Sequence, residues 1–296
     1  MKKVLAIILA VMMMFTLVSL TSCTDNTVSD DVNDESNVNG ENDQNVDAND
    51  DDQNGGDVSN DNAVSDLAYI QDKGTLVIGI TEYAPMNYKE NDEWTGFDTE
   101  FALAVAEKLG VTAEFVEIEW DSKILELDSK AIDCVWNGMT LTDEVLNSMN
   151  CTNPYVVNAQ VLVMNKDRIG DYTTVESLAD LTFAAEAGSA GAKAIEAAGY
   201  TATEVGLQTD ALMEVAAGAE DACVIDITMA KAMTGEGTSY ADLTYGLALT
   251  TENYGIGFRK DSDATAKVNE IINELYEDGT LPALAEKYEL TLAMDQ

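Results

Sequence analysis

Histidine is absent from this 296-residue chain, and arginine occurs only at Arg168 and Arg259. The first absence removes the commonest general base and the commonest metal ligand. The second leaves few side chains able to hold a carboxylate by two parallel hydrogen bonds. Bases are scarce altogether: 15 Lys and Arg face 55 Asp and Glu, a formal net charge of −40. Such a chain has no basic patch with which to seek nucleic acid or anionic lipid. Four cysteines occur, none in a CxxC pair, so no zinc site is suggested. Cys134 and Cys223 lie in apolar strand-like runs where buried thiols are common. A Cys134–Cys151 disulfide is left open by the spacing. Neither a metal nor a cofactor is expected, and the acidic stretches lack the glycine and distant glutamate of a calcium loop.

The first 66 residues differ from the rest. Lys2 and Lys3 precede an apolar run from Val4 to Val18, short for a membrane span. Residues 1–22 therefore read as a secretory signal. Leu20-Thr21-Ser22-Cys23 has the form of a lipobox, which makes Cys23 the expected lipidated N-terminus of the mature chain. From Thr24 to Asp66 the sequence is built of Asp, Asn, Ser, Val and Gly, with no Lys, Arg or aromatic residue. It holds too little apolar surface to offset the ordering entropy. Residues 23–66 are expected to be a disordered acidic tether, extended by its own charge.

From Leu67 onward, 41 acids face 13 bases, and hydrophobic periodicity appears. Thr75–Thr81 reads as a buried strand. Phe97, Phe101, Val105 and Leu109 recur every four residues and stop at Gly110, which predicts a helix with Asp98 as its cap. Ala113–Trp120 reads as a strand with Val116, Ile118 and Trp120 on one face. A helix is expected over Asp121–Lys130. Next comes the apolar run from Ile132, ending in Trp136-Asn137-Gly138-Met139-Thr140-Leu141-Thr142, with Thr142 placed to cap a following helix. This βαβαβ order predicts a parallel sheet with crossover helices. After a polar stretch ending in Pro154-Tyr155 and a strand over Asn158–Asn165, the alternation restarts. Strands are expected at Thr182–Ala185, Thr201–Val205 and Ala222–Asp226. Helices follow Gly188-Ser189, run from a Thr209 cap to Gly218, and follow Asp226. Two closing strands and two closing helices, Ser262–Tyr276 and Leu281–Tyr288, complete the chain. Crossings between the halves fall near Val157–Val161 and Thr250–Gly255, as a hinge would require.

These pieces together resemble the bacterial extracellular solute-binding proteins of polar amino-acid ABC importers, family 3. The matching features run from Leu67 to the C-terminus. They are the strand and Tyr-Ala-Pro loop at Gly79–Met86, Gly96-Phe97-Asp98, Trp120-Asp121, and the Gly-Met-Thr-x-Thr-x-Glu segment at Gly138–Glu144. Pro154-Tyr155, Gly188-Ser189 and the strand-end Asp226 complete the set. The resemblance implies an α/β, two-lobed type II periplasmic-binding-protein fold with a hinge and an interlobe cleft. Lobe 1 would comprise residues 67–157 plus 255–296, and lobe 2 residues 158–254. It implies that Tyr83 and Trp120 sandwich the apolar part of a ligand. Asn137, Gly138 and Thr140 would line the first wall. Ser189 and Ala190 would offer a helix N-terminus to an anion, and Asp226 would receive an ammonium group. The chain departs from the family at Val145, where an arginine normally pairs with the ligand's carboxylate. Arg168 and Arg259 stand in strand-end contexts read as surface, so neither replaces it. Glu186 places an acid where a neutral or basic residue is common.

The reading that results is a lipid-anchored, monomeric solute-binding protein on the extracytoplasmic face of the cell membrane. It would deliver a small amine or amino acid to ABC permease subunits, without enzymatic chemistry and without nucleic acid. The alternatives are a sensor or surface lipoprotein on the same fold, or a relative of cyclohexadienyl dehydratase.

Overall fold

The structure, a computed structural model, describes residues 65–295. The expected signal, Cys23 and the tether up to residue 64 lie outside the described residues. Helix α1 (Asp66–Lys73) leads into strand β1 (Thr75–Ile80), a hairpin of β2 (Tyr88–Glu90) and β3 (Glu93–Thr95), helix α2 (Phe97–Leu109) and strand β4 (Thr112–Glu117). A 3-10 turn at Trp120–Ser122 opens α3 (Lys123–Asp128), followed by β5 (Cys134–Val135), α4 (Asp143–Ser148) and β6 (Asn150–Cys151). The second series is β7 (Val156–Asn158), β8 (Gln160–Asn165), β9 (Phe183–Glu186), α5 (Ala190–Ala197), β10 (Thr203–Val205), α6 (Gln208–Ala217), β11 (Ala222–Asp226), α7 (Ile227–Met233) and β12 (Leu243–Ala248). The chain returns through β13 (Glu252–Tyr254) and β14 (Gly257–Phe258) to α8 (Ala264–Glu277) and α9 (Thr280–Lys287).

The strands form two five-stranded sheets, ordered β4-β1-β5-β14-β6 and β10-β9-β11-β8-β12. In the first, β4, β1 and β5 are parallel and β14 runs against β5 and β6. In the second, β10, β9 and β11 are parallel and β8 runs against β11 and β12. The two crossings between the sheets pair with each other. Strands β7 and β13 form an antiparallel ribbon with Asn158 opposite Glu252 and Val156 opposite Tyr254.

Helix α2 forms as its spacing predicts. Phe97, Phe101, Val105 and Leu109 all face the core, and Gly110 ends the helix in the left-handed conformation. Burial of a side chain such as Phe101 contributes about 1.5–3 kcal/mol. Its ring meets the edge of Trp136 at a centroid separation of 5.0 Å, which fixes the end of β5 against the helix. Asp98 does not cap this helix. Gly96 holds the cap position with φ 116°, and the Asp98 carboxylate points back to Gly138.

Other expectations are corrected. The folded region begins before Leu67: Ser65 accepts the Ala68 N–H as the cap of α1, and Asp66 is the first residue of that helix. Arg259 is buried, not at the surface. Its guanidinium donates to both carboxylate oxygens of Asp66, to Asp133 and to the Ile132 carbonyl. Arg168 does lie at the surface, paired with Asp221 at 2.8 Å. Strand β4 stops at Glu117, so Trp120 belongs to the 3-10 turn that follows. Thr209 lies inside α6 instead of capping it, and Asp210 reaches back to the Leu207 N–H at 3.2 Å. Cys134, Cys151 and Cys223 are free thiols. No helix among the described residues is long and apolar enough to cross a membrane.

Candidate ligand-binding cleft

Strands β4, β5, β9 and β11 bring their carboxyl ends to one narrow cavity of about 20 Å³. Strand ends are where open α/β sheets place their ligands, and at this volume the two walls are closed to about the space of one water. Residues from both sheets line it. Trp120, Asn137, Gly138 and Thr140 come from the first, and Glu186, Ser189, Ala190 and Asp226 from the second. Tyr83 is the one candidate outside the lining. It sits behind Gly138, with its hydroxyl 2.5 Å from Thr228 Oγ1 and 2.6 Å from the Tyr254 hydroxyl.

The first wall is held rigidly from behind. Gly138 has φ 55°, and a Cβ there would stand 2.6 Å from Tyr83 Cε1, so both backbone and space require glycine. Its N–H donates to Asp98 Oδ2 at 2.6 Å, and the Tyr155 hydroxyl donates to both oxygens of the same carboxylate. Burial pushes the Asp98 carboxyl up to about 7, and these donors pull against that shift. The Gly138 N–H is thus spent inside the fold. Asn137 donates to Thr81 Oγ1 at 2.6 Å, and Thr140 Oγ1 donates to Glu252 at 2.7 Å. Thr142 caps α4 by accepting the Val145 N–H, which turns the buried Val145 side chain into the cavity lining.

The second wall carries two buried acids of different character. Asp226, at the end of β11, is saturated. Its Oδ1 accepts from Asn158, Gln160 and the Tyr254 hydroxyl, and its Oδ2 accepts from Gln208. It stands at the cap position of α7 without making a capping bond. Burial, then the nearby Glu252 carboxylate, raise its pKa above the usual range. Glu186, at the end of β9, is 3% exposed, and its carboxylate has no hydrogen-bond partner among the described residues. Burial and then the Asp226 charge push it up to about 8, opposed by Lys123. Ser189 caps α5 through the Ala192 N–H at 3.1 Å. The next turn of α5 adds Lys193 to the lining, ion-paired with Glu144 of α4 across the cleft.

Lys123, Lys193, Gln208 and Gly188 were not foreseen. Lys123 could have been, since three residues along a helical turn place it beside Trp120. Its ammonium lies 4.7 Å from the centre of the Trp120 ring. The attraction that ring offers to a cation is therefore taken by the protein itself. Gln208 gives no signal in the sequence, because it reaches Asp226 only through the packing of α6 on β11. No three His, Cys, Asp or Glu side chains among the described residues converge as a metal ion would need.

With this geometry in hand, residues 76–291 match the family described as bacterial extracellular solute-binding proteins, family 3. The chain belongs to that family. Among curated relatives of this solute-binding protein, the L-cystine-binding protein TcyJ of Escherichia coli is 29% identical over 232 residues, covering 75% of this chain and 85% of its own. A substrate-binding protein of an ABC uptake transporter from Streptococcus pneumoniae, solved with bound histidine, superimposes with a TM-score of 0.69 at 31% identity. That match covers 76% of this chain and 96% of the other. An ancestral amino-acid-binding protein described as a precursor of cyclohexadienyl dehydratase gives a TM-score of 0.69 at 30% identity, covering 76% of this chain and 99% of its own. The two-lobed fold expected from the sequence is thereby established.

Proposed function

We propose that this solute-binding protein is anchored by lipid at Cys23 on the extracytoplasmic face of the membrane. It closes its lobes on a small amine-bearing solute and delivers it to an ABC permease. Lobe 1 is built from residues 65–157 plus 255–295 and lobe 2 from residues 158–254, with the β7–β13 ribbon between them as the hinge. The observation that carries the reading is Glu186, a buried residue whose carboxylate has no hydrogen-bond partner among the described residues and lines a cavity formed from both lobes. An ammonium group is the natural complement to such a carboxylate. Trp120 packs the apolar part of the solute, Asn137, Gly138 and Thr140 shape the first wall, and Ser189 and Ala190 present the start of α5. Asp226 acts through Gln160, Gln208 and Asn158, which it holds in place, and Tyr83 supports Gly138. The names of the relatives, one binding L-cystine and one holding histidine, agree with an amino acid as the solute.

A thermal-shift screen of the full chain against amino acids, polyamines and quaternary amines tests this. At a hundredfold excess over Kd, a bound solute adds about 2.7 kcal/mol of stability. At least one amine-bearing compound is expected to raise the melting temperature, and Trp120→Ala or Glu186→Gln to remove the shift. If both variants respond like the parent, the cavity is not the solute site.

A second reading, dehydration of a small solute in the same cavity, has the similarity to a dehydratase precursor in its favour. The chain offers no histidine as a base and no arginine in the cavity lining to hold a carboxylate. Incubation with prephenate and arogenate is expected to give no turnover, and turnover of either would replace the transport reading.

A further inference from the structure

We propose that Lys123 is the carboxylate-binding residue of this cleft, taking over from the first lobe the part that Val145 cannot play, so that the solute is a zwitterion and not a plain amine. The inference rests on the reading of the cavity as a solute site and specifies which chemistry it selects.

Lys123 is 6% exposed and lines the cavity. Its Nζ donates to the Trp120 carbonyl at 3.0 Å and to the Gly188 carbonyl at 3.2 Å. An ammonium group carries three donors, so one remains unassigned. No carboxylate of the described residues lies within ion-pair distance of it. Lys130, Lys231 and Lys260 also lack an ion pair among the described residues, but they are exposed and water solvates them. Lys123 is different, because a buried charge held only by neutral carbonyls and a ring face stays short of compensation.

The surroundings say which partner fits. Lys193 lines the same cavity and adds a second positive charge close enough to disfavour the Lys123 charge. Lys193 is already neutralised by Glu144, whereas Lys123 has only the more distant attraction of Glu186 and Asp121. A plain cation entering this space meets like charge at Lys123 and leaves it uncompensated. A molecule with a carboxylate and an ammonium group satisfies Lys123 and Glu186 together, whereas Asp226, the third buried ionic group of the lining without a counter-charge, is already held by four neutral donors. Val145 lies in the same lining, so the carboxylate stays in the region where the family's arginine would act, with the donor moved from α4 to α3. Gly188 makes this possible. It adopts φ 66° and packs so closely on Asp121 that a Cβ would stand 2.9 Å from the Asp121 Cα, which brings its carbonyl to Lys123.

Lys123 also bridges the lobes, and a residue that served only as a latch would affect every ligand alike. The test therefore compares each amino acid with its decarboxylated amine: L-histidine with histamine, L-arginine with agmatine, and L-cystine with cystamine. Titration calorimetry of the full chain reads the affinities. The parent is expected to bind at least one acid about 30-fold or more tightly than its amine. Lys123→Met is expected to lose that preference by weakening the acid and leaving the amine within about threefold, whereas Lys123→Arg, which keeps charge and reach, preserves it. A parent that binds the amine as tightly as the acid overturns the assignment, whatever the variants do. So does a Lys123→Met chain that keeps the preference, or one that weakens both members equally, or a Lys123→Arg chain that loses it. A parent that binds neither member of any pair overturns the amine-solute reading itself, which separates that failure from a failure of Lys123.

Discussion

Glu186 and Asp226 stand at the ends of neighbouring strands and look equivalent in the sequence, yet only one of them is free to meet a ligand. The difference follows from what surrounds each carboxylate. Asp226 has four donors aimed at it, so an arriving ammonium group would have to displace one. Glu186 has none and is held in the cavity lining by its strand. This predicts a pH signature. The Glu186 pKa rises from 4.5 to about 8 on folding, chiefly through burial. A raised carboxyl pKa means that the folded state prefers the proton. Its contribution is fully present below pH 4.5 and is lost as the pH rises through 8, because the unfolded chain ionises first. Glu186→Gln carries no charge at either end of that window. The variant is expected to match the parent's melting temperature near pH 4.5 and to exceed it near pH 8. Melts at the two pH values check this, and an equal gap at both would mean that Glu186 is not a strained carboxylate.

At the scale of elements, the sequence was informative wherever a signal repeats along one segment. The four-residue spacing of α2, the strand runs of β1, β8 and β11, the Thr142 cap and the glycine stops at Gly110 and Gly218 are local patterns, and each appears where it was expected. The misreadings share a different cause. Asp98 looked like a cap because it stands beside a helix start, but its partner is Gly138, 40 residues on. Arg259 looked like a surface residue because its partners, Asp66 and Asp133, are 193 and 126 residues away. A one-dimensional pattern carries no information on such pairings. The Arg259 cluster also explains why Asp66 belongs to the fold. It ties α1 to the start of β5 through side chains that are 10%, 11% and 0% exposed at Arg259, Asp66 and Asp133. Removing one member leaves buried charge uncompensated, so Arg259→Met is expected to cost about 3–5 kcal/mol. Urea denaturation checks this, and a loss below 1 kcal/mol would place the cluster effectively in solvent.

Across the whole molecule, the two lobes are joined by a few polar contacts that exist only when they meet. Tyr83 of the first touches Thr228 of the second, Lys123 reaches the Gly188 carbonyl, Glu144 pairs with Lys193, and Thr140 reaches Glu252 of the β13 ribbon. A solute shifts such a molecule toward closure only by its differential affinity for the closed form, and contacts between the lobes add to that difference. These contacts are unequal. The Glu144–Lys193 pair is exposed at the rim, where ion pairs contribute about 0–1 kcal/mol. The Tyr83 hydroxyl is fully buried between Thr228 and Tyr254, where a hydrogen bond is worth about 0.5–1.5 kcal/mol net. Tyr83→Phe removes that bond without opening space, because the ring still fills the gap behind Gly138. Affinity for whichever solute binds is therefore expected to fall about 3- to 10-fold, with most of the change in the dissociation rate, since the closed complex loses the contact and the encounter does not. Stopped-flow measurements on parent and variant check the split. A slower association rate with unchanged dissociation would assign Tyr83 to shaping the open cleft and not to holding it shut.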